Sequence, residues 1–218
     1  MRVGVLISGG GTNLQSLIDH ATLAGRPYEV VSVISNRADA GGLERADRHG
    51  IPGRFIERRG FATVESFEAV IDQELRAHGA EFVCLAGYMR ILSPWFVKKW
   101  HNRLLNIHPS LLPAFPGLHT HRRVLDDGCR VSGCTVHFVR SELDSGPILV
   151  QGVVPVMPQD DAASLAARVL EVEHRCYPRA LSLYASGRLT IEGDDITLAN
   201  EAPGDRLILH PKLTKIQS

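Results

Sequence analysis

An amide and an imidazole stand close together in the segment Leu104–Pro113, whose sequence is LLNIHPSLLP. Read as a β-strand, this segment places Asn106 and His108 on one face and the apolar Ile107 on the other. Pro109 cannot continue the hydrogen-bonded ladder, so we expect the strand to end at His108. Two adjacent donors at the carboxyl end of a strand suit a developing oxyanion. The alternative is a strand end whose polar groups only satisfy loop backbone.

A run of glycines, Gly9 to Gly11, follows the first apolar strand and precedes a helical stretch. Backbone N–H groups at a helix start bind phosphate, and glycine lets an anion come close. Leu14 stands where a dinucleotide fingerprint needs glycine, and the lysine of a P-loop is missing. The loop therefore predicts a site for a phosphate monoester. The alternative is a tight turn in which Thr12 or Asn13 caps the helix.

Two carboxylates are further candidates. Asp144 follows an apolar strand and precedes Gly146, so we expect it in a loop, where proximity to His108 would favour the imidazolium. The alternative for Asp144 is an ordinary turn residue. Glu173 falls on the apolar arc of a helix predicted over 162–185, where a carboxylate needs a partner. That partner is either a ligand with hydroxyls or an amine, or an internal arginine or backbone group.

The ten histidines of the chain raise the question of a metal site. The best candidate ligands are His119 and His121, with His108 or His137 added. The segment around His119 and His121 is typical of a loop that enters a helix, which favours roles in anchoring that loop or lining a site. We therefore expect no metal.

Length and composition indicate an ordinary globular protein. The chain has 218 residues, of which 44% are hydrophobic, and its 24 basic and 24 acidic side chains balance. These values predict one domain with a sizeable core, and they give no support to binding of nucleic acid or a membrane surface. No apolar run is long enough to span a bilayer, and Met1 leads into a strand rather than a signal peptide. The cysteines form no CxxC pair and are expected to be reduced, which is typical of the cytoplasm: Cys84, Cys129, Cys134 and Cys176.

Apolar strands alternate with helical patterns through the first half of the chain. We predict strands at 3–8, 29–35, 53–57, 81–86 and 103–108, and helices at 13–24, 42–49 and 64–78. Such alternation predicts an α/β fold with a mostly parallel sheet and helices on both faces. Two further strands, at 131–139 and 148–156, have no helix between them and are expected to form an antiparallel edge. The polar tail after Leu189 predicts short strands at most.

Several segments together resemble the glycinamide ribonucleotide formyltransferases (phosphoribosylglycinamide formyltransferases), a branch of the folate-dependent formyltransferase family. The matching segments are SGGGTNL at 8–14, AGYMRILSP at 86–94, LLNIHPSLLPAFPGLHTH at 104–121, HFV at 137–139, ELDSGPIL at 142–149 and EHRCYP at 173–178. The resemblance implies a Rossmann-like formyltransferase fold. We expect a single domain over 1–189, with a phosphate-binding half (1–100) and a catalytic and folate-binding half (101–189), followed by a C-terminal tail (190–218).

The resemblance also implies an activity: transfer of the formyl group of 10-formyltetrahydrofolate to the amine of glycinamide ribonucleotide in purine biosynthesis, without metal. Asn106 and His108 would stabilise the tetrahedral oxyanion, and His108 would be the cationic general acid. Asp144 would hold that charge and relay a proton through water. The residues implied to bind the ribonucleotide are Gly11, Thr12, Asn13, Leu14 and Glu173. Those implied to bind the folate are Met89, Arg90, Ile91, Leu92, Asn106, Arg140, Ser141, Glu142, Leu143 and Asp144.

Two related enzymes and a non-catalytic binding module are alternatives that the sequence distinguishes. A methionyl-tRNA formyltransferase would carry a basic C-terminal domain, and a formyltetrahydrofolate deformylase would usually carry an N-terminal regulatory domain; the chain length and the neutral charge favour neither. A non-catalytic folate or nucleotide-binding module would need Asn106, His108 and Asp144 disabled, and all three are present. Many relatives have Ser where Thr12 stands and Arg where Val64 stands. Both a monomer and a homodimer are compatible with the sequence.

Overall fold

Strands and helices alternate along the described part of the chain, residues 1–199 and 208–209 of a computed structural model. The strands are β1 (Arg2–Ile7), β2 (Glu29–Ser35), β3 (Gly53–Phe55), β4 (Phe82–Leu85), β5 (Leu104–His108), β6 (Val131–Phe138), β7 (Ile148–Pro155), β8 (Leu189–Glu192), β9 (Asp195–Leu198) and β10 (Ile208–Leu209). The helices are α1 (Thr12–Ala21), α2 (Gly41–Arg48), α3 (Val64–Ala77), α4 (Pro94–Lys99), α5 (Thr120–Asp126) and α6 (Ala162–Ala185).

The main sheet has the strand order β10-β7-β6-β5-β4-β1-β2-β3 among the described residues. The strands from β1 to β5 pair in parallel. β6 is antiparallel to both of its neighbours, β5 and β7. The predicted α/β fold, with a mostly parallel sheet and an antiparallel edge, is therefore confirmed.

The central parallel strands β1, β4 and β5 are buried on both faces, whereas β3 at the sheet edge is exposed. In β5, Leu105 and Ile107 join the core that contains α1 and α6, whereas Leu104 joins the core that contains α3 and α4. This alternation confirms the predicted strand periodicity. Asn106 and His108 therefore share the face of Leu104, and the strand ends at His108, directly before proline, as expected.

The main departure from the predicted elements is α4. Ser93 caps this short helix by accepting a hydrogen bond from Phe96 N, and Pro94 is its first residue. Six residues are too few to show helical periodicity, so only the Ser-Pro start signal could have indicated it. The ends of the other predicted elements agree with the structure to within three residues. β8 and β9 form a hairpin in the predicted tail, whose remaining residues, 200–207 and 210–218, lie outside the described part.

Tyr177 anchors α6 to the middle of the sheet. It is fully buried, and its hydroxyl lies 3.0 Å from Leu85 O in β4 and 3.1 Å from Leu105 O in β5. This shared hydrogen bond sets the height of α6 over the two strands. Because Glu173 lies one helical turn before Tyr177 and Asn106 follows Leu105, the contact helps to position both.

Replacing Tyr177 with Phe removes the hydroxyl that two buried carbonyls share. We expect Tyr177→Phe to lower the free energy of unfolding by about 1–2 kcal/mol, measured by urea denaturation. Tyr184→Phe is the matched control, since Tyr184 lies in the same helix against Phe82 and its hydroxyl has no hydrogen bond among the described residues. Equal losses in the two variants would contradict the anchoring role.

Candidate active site

The loops that follow β1, β2 and β4 meet at one edge of the sheet. They meet there because these strands run parallel, and open α/β sheets place their ligands at this edge. Ser8 links the three loops: its Oγ donates to Asn36 Oδ1 at 2.6 Å and accepts from Met89 N at 2.8 Å. One hydroxyl thus holds the start of the glycine loop against the other two loops.

His108, at the carboxyl end of β5, is buried beside Asp144. Its Nδ1 lies 3.4 Å from Asp144 Oδ2, and its Nε2 lies 2.9 Å from Phe115 O. A carbonyl oxygen only accepts, so Nε2 carries a hydrogen. Both ring nitrogens therefore face oxygen acceptors, an arrangement that suits an imidazolium with the carboxylate as counter-ion. The structure brings together the imidazole and the carboxylate that the sequence singled out.

Asp144 is held by the loop between β6 and β7. Its backbone is left-handed, with φ at 50°, and its Oδ2 accepts from Gly117 N at 2.8 Å. The side chain is only 6% exposed, and Oδ1 lies 3.8 Å from His137 Nε2. A Cβ on Gly146 would lie 1.7 Å from Phe138 O, so the loop packs back on β6 only with glycine at this position.

His137 is the site residue that sequence reasoning missed, except as a candidate metal ligand. It pairs opposite Asn106 across β5 and β6. Its Nδ1 lies 3.0 Å from Phe138 O and so donates, which leaves Nε2 to accept from Asn106 Nδ2 at 3.3 Å. Burial lowers the pKa of His137; Asp144 opposes the shift and His108 adds to it. A neutral ring with this tautomer fixes the orientation of the Asn106 amide, because only the NH2 group of the amide can donate to Nε2.

A buried hydroxyl network supports the loop that carries Phe115. Ser110 Oγ donates to Ala114 O at 2.7 Å and lies 3.2 Å from Phe115 O. Thr135 Oγ1 donates to Ser110 O at 2.7 Å and accepts from Leu112 N at 3.0 Å. Because these groups lie in the protein interior, the network gives the imidazole of His108 a firmly held acceptor at Phe115 O.

α1 begins without a side-chain cap among the described residues. Gly11 occupies the N-cap position with φ at 72°, and a Cβ there would lie 2.6 Å from Gly42 Cα. The alternative in which Thr12 or Asn13 caps the helix is therefore wrong. The first-turn N–H groups of Thr12, Asn13 and Leu14 have no intrahelical carbonyl to bind, so this turn is suited to an anion.

Glu173 is buried in α6, as its place on the apolar arc predicted. Its Oε2 accepts from Asn13 Nδ2 at 2.6 Å. Burial raises the pKa of Glu173, and the hydrogen bond from Asn13 opposes the shift. The internal partner is thus a side-chain amide, neither the arginine nor the backbone group considered from the sequence. The bond joins α6 to the first turn of α1, so the two ribonucleotide-binding candidates lie together.

The predicted folate-binding residues outside β5 lie in two loops. The loop 86–93 carries Met89 and Ile91, which are 72% and 75% exposed, and the buried Leu92. The loop 139–147 carries the 58% exposed Leu143 beside Asp144, and Ser141 and Glu142 are also exposed there. Exposed apolar side chains at a site edge suit a ligand with aromatic rings.

Two arginines predicted to bind the folate, Arg90 and Arg140, have their observed contacts outside the cluster of Asn106, His108 and Asp144. Arg140 donates to Asn102 Oδ1 at 3.0 Å and to Asp194 Oδ1 at 3.1 Å, which ties its loop to the β8–β9 turn. The guanidinium of Arg90 lies 5.7 Å over the ring of Phe67. The structure therefore does not bring either guanidinium to the cluster of Asn106, His108 and Asp144.

Three further findings concern the described residues only. They contain no group of three or more His, Cys, Asp or Glu side chains arranged to hold a metal ion. His119 directly precedes α5 and His121 lies within it, which confirms the predicted loop entering a helix. No described helix is long and apolar enough to cross a membrane.

Comparison with known proteins agrees with this geometry. The model of the formyl transferase family matches residues 1–181. The chain belongs to this family. It is 47% identical over 189 residues to phosphoribosylglycinamide formyltransferase of Escherichia coli (strain K12), which covers 87% of this chain and 89% of that protein. A solved formyl transferase, glycinamide ribonucleotide transformylase 1 from Symbiobacterium toebii, has a TM-score of 0.89 at 48% identity and covers 92% of this chain and 94% of its own.

The family also includes longer proteins. The chain is 48% identical over 191 residues to the trifunctional purine biosynthetic protein adenosine-3 of Gallus gallus, which covers 88% of this chain and 19% of that protein. The chain thus spans about a fifth of the length of this relative.

The neutral ring of His137 predicts a pH dependence of stability. Its pKa lies below the ordinary 6.5 in the folded state, so the folded protein binds fewer protons than the unfolded chain. Stability is therefore full above 6.5 and falls as the pH drops below that value. We expect His137→Gln, which does not titrate, to lose less free energy of unfolding than wild type between about pH 7.5 and about pH 5.5.

Urea denaturation at the two pH values measures this difference. His101→Gln, at an exposed position, controls for the removal of a histidine. A decline as steep in His137→Gln as in wild type would show that His137 does not carry the effect.

Proposed function

We propose that this formyl transferase transfers the formyl group of 10-formyltetrahydrofolate to the amine of glycinamide ribonucleotide in purine biosynthesis. The products are formylglycinamide ribonucleotide and tetrahydrofolate. The observation that carries the proposal is the convergence of Asn106, His108 and Asp144 at the ligand edge of the sheet. The near full-length Escherichia coli relative, which is named for the phosphoribosylglycinamide acceptor, supports it.

The ribonucleotide end of the site lies between α1 and α6. We assign the phosphate to the uncapped first turn, where the N–H groups of Thr12, Asn13 and Leu14 and the glycine before them receive it. Glu173, held by Asn13, accepts hydrogen bonds from the ribose hydroxyls. A phosphate and a sugar therefore find complementary groups on neighbouring helices.

The folate end is assigned to the loops 86–93 and 139–147. Their exposed apolar side chains, Met89, Ile91 and Leu143, fit an aromatic ring system, because a ligand that covers them removes apolar surface from water. 10-Formyltetrahydrofolate supplies the formyl group as cosubstrate. Backbone groups of both loops provide the polar contacts, so Arg90, Leu92 and the loop residues from Arg140 to Glu142 act mainly through their main chain.

The reaction is acyl transfer. The amine nitrogen of the ribonucleotide bonds to the formyl carbon, and the bond from that carbon to N10 of the folate breaks. Asn106 Nδ2 and the Nδ1–H of His108 donate to the formyl oxygen as negative charge develops on it. The 3.4 Å separation of this nitrogen from Asp144 is long for a hydrogen bond, so its hydrogen is available to the substrate.

Proton movement balances the transfer. The attacking amine loses a proton and N10 of the folate gains one. His108 is the general acid, and Asp144, buried beside it, compensates its positive charge and relays the proton through water. Holding both reactants at one sheet edge supplies proximity, so this route uses neither a metal nor a covalent enzyme intermediate.

The domain boundaries and the location stay predictions. We assign the transferase domain to 1–189, where the halves 1–100 and 101–189 both contribute to the site because Asn13 binds Glu173. A cytoplasmic location is supported by the four free cysteines. Glycinamide ribonucleotide and folate are the proposed binding partners.

The strongest alternative is a hydrolase that delivers the formyl group to water. The uncapped first turn of α1 and the buried Glu173 favour the transferase, since a hydrolase has no need of a sugar-phosphate site.

The deciding experiment mixes purified protein with 10-formyltetrahydrofolate and follows tetrahydrofolate release with and without glycinamide ribonucleotide. Release that requires the ribonucleotide establishes the transferase. Release without it indicates the hydrolase, and folate binding without release indicates a binding module.

Removing the imidazole tests the proposed chemistry. We expect His108→Ala to lower kcat by about a hundredfold or more with little change in KM, because the general acid and a donor to the oxyanion are lost together. Steady-state kinetics measure this, with the exposed His101→Ala as control. Unchanged turnover would remove His108 from the mechanism.

A further inference from the structure

The glycine loop contains no cationic side chain between Ser8 and Leu14. The fold brings one from α2 instead. Arg45 Nε donates to Gly10 O at 2.7 Å, and Arg45 Nη1 donates to Gln15 Oε1 at 3.3 Å. These bonds tie the guanidinium to the residue before the helix cap and to the first turn of α1.

The charge of Arg45 is not compensated by the contacts that hold it. Both partners are neutral, no carboxylate among the described residues forms an ion pair with it, and its Nη2 has no hydrogen-bond partner there. Arg168 on α6, in contrast, is paired with the carboxylate of Asp160. A half-buried guanidinium fixed by neutral groups has donors and charge left for an anion.

Arg45 also borders the same space as the helix start. Thr12 and Arg45 both line an open groove of about 710 Å³ between α1 and α6. Arg26 and Arg175 line it farther along, whereas Asp19 is the one carboxylate among its described lining residues. An anion seated on the first turn of α1 therefore lies in positive surroundings.

We propose that Arg45 is a phosphate-binding residue of the ribonucleotide site. Its bonds to Gly10 O and Gln15 Oε1 hold the guanidinium in place, and its Nη2 donates to the phosphate seated on the N–H groups of Thr12 and Asn13. The identity of the phosphate ester rests on the proposed function. A phosphate monoester carries a charge of about −1.5 to −2, of which a helix start balances only about half a unit, so a guanidinium completes the site.

The proposal makes Arg45 a determinant of specificity for the phosphorylated acceptor. A residue that only braced the loop would affect every acceptor alike. A residue that binds the phosphate changes the preference for glycinamide ribonucleotide over the same ribonucleoside without phosphate. The ratio of kcat/KM for these two acceptors therefore separates the two roles.

The test compares Arg45→Gln with Arg48→Gln. Arg48 lies in the same helix, is exposed, and donates to Glu44 O within that helix, so it is the matched control. We expect Arg45→Gln to raise KM for glycinamide ribonucleotide by about tenfold to a hundredfold and to leave KM for the folate unchanged. Activity on the unphosphorylated acceptor should not change, and Arg48→Gln should resemble wild type. Equal losses on both acceptors, or no loss on either, would overturn the proposal.

A binding measurement makes the test independent of formyl transfer. Titration calorimetry with ribose 5-phosphate should show weaker binding to Arg45→Gln than to wild type or Arg48→Gln. Arg45→Lys should be intermediate, because lysine keeps the positive charge but lacks the planar set of donors of a guanidinium. If wild type shows no formyl transfer, the proposed function fails, while this binding order would still support Arg45 as a phosphate ligand. Equal binding by all variants, or no binding by wild type, would overturn that role.

Discussion

A single carboxylate, buried between two imidazole rings, sets the arrangement of the candidate active site. Asp144 lies 3.4 Å from the ring of His108 and 3.8 Å from the ring of His137. In a poorly solvated site one carboxylate compensates one positive ring, and a second positive ring would be costly. Burial lowers the pKa of His137, which favours the neutral form of that ring and leaves the carboxylate to face the ring of His108. Two like side chains thereby have different surroundings: His137 accepts from an amide, and His108 lies closer to the carboxylate.

The neutral ring in turn determines what Asn106 does. Because His137 Nδ1 donates to Phe138 O, its Nε2 is free to accept from the Asn106 amide. The second N–H of the amide has no hydrogen-bond partner among the described residues. His108 gains a similar constraint from Phe115 O, whose loop is held by buried hydroxyls. The Asn106 amide and the His108 ring, the two proposed oxyanion donors, are thus both oriented by contacts within the protein, as electrostatic preorganisation requires.

Much of the fold was predictable because its signals are local. Continuous apolar strands separated by amphipathic helices indicated the parallel sheet, and the 24 residues of α6 were predicted with the observed bounds. The short α4 was missed because six residues show no periodicity. The sequence could not decide whether Thr12 or Asn13 caps α1, because capping depends on which partners the side chains find in the folded protein. In the structure, Asn13 binds Glu173 instead.

The sequence by itself determined which chemical groups the protein has and where the strand that carries them ends. Asn106 and His108 alternate with apolar residues, and Pro109 stops the ladder, all of which are properties of neighbouring residues. Only the tertiary structure decided which distant groups meet these: His137 across the strand pair, Asp144 from the following loop, and Arg45 beside the glycine turn. Strand register and loop packing depend on the summed burial of many residues far apart in the chain, so no local pattern encodes them.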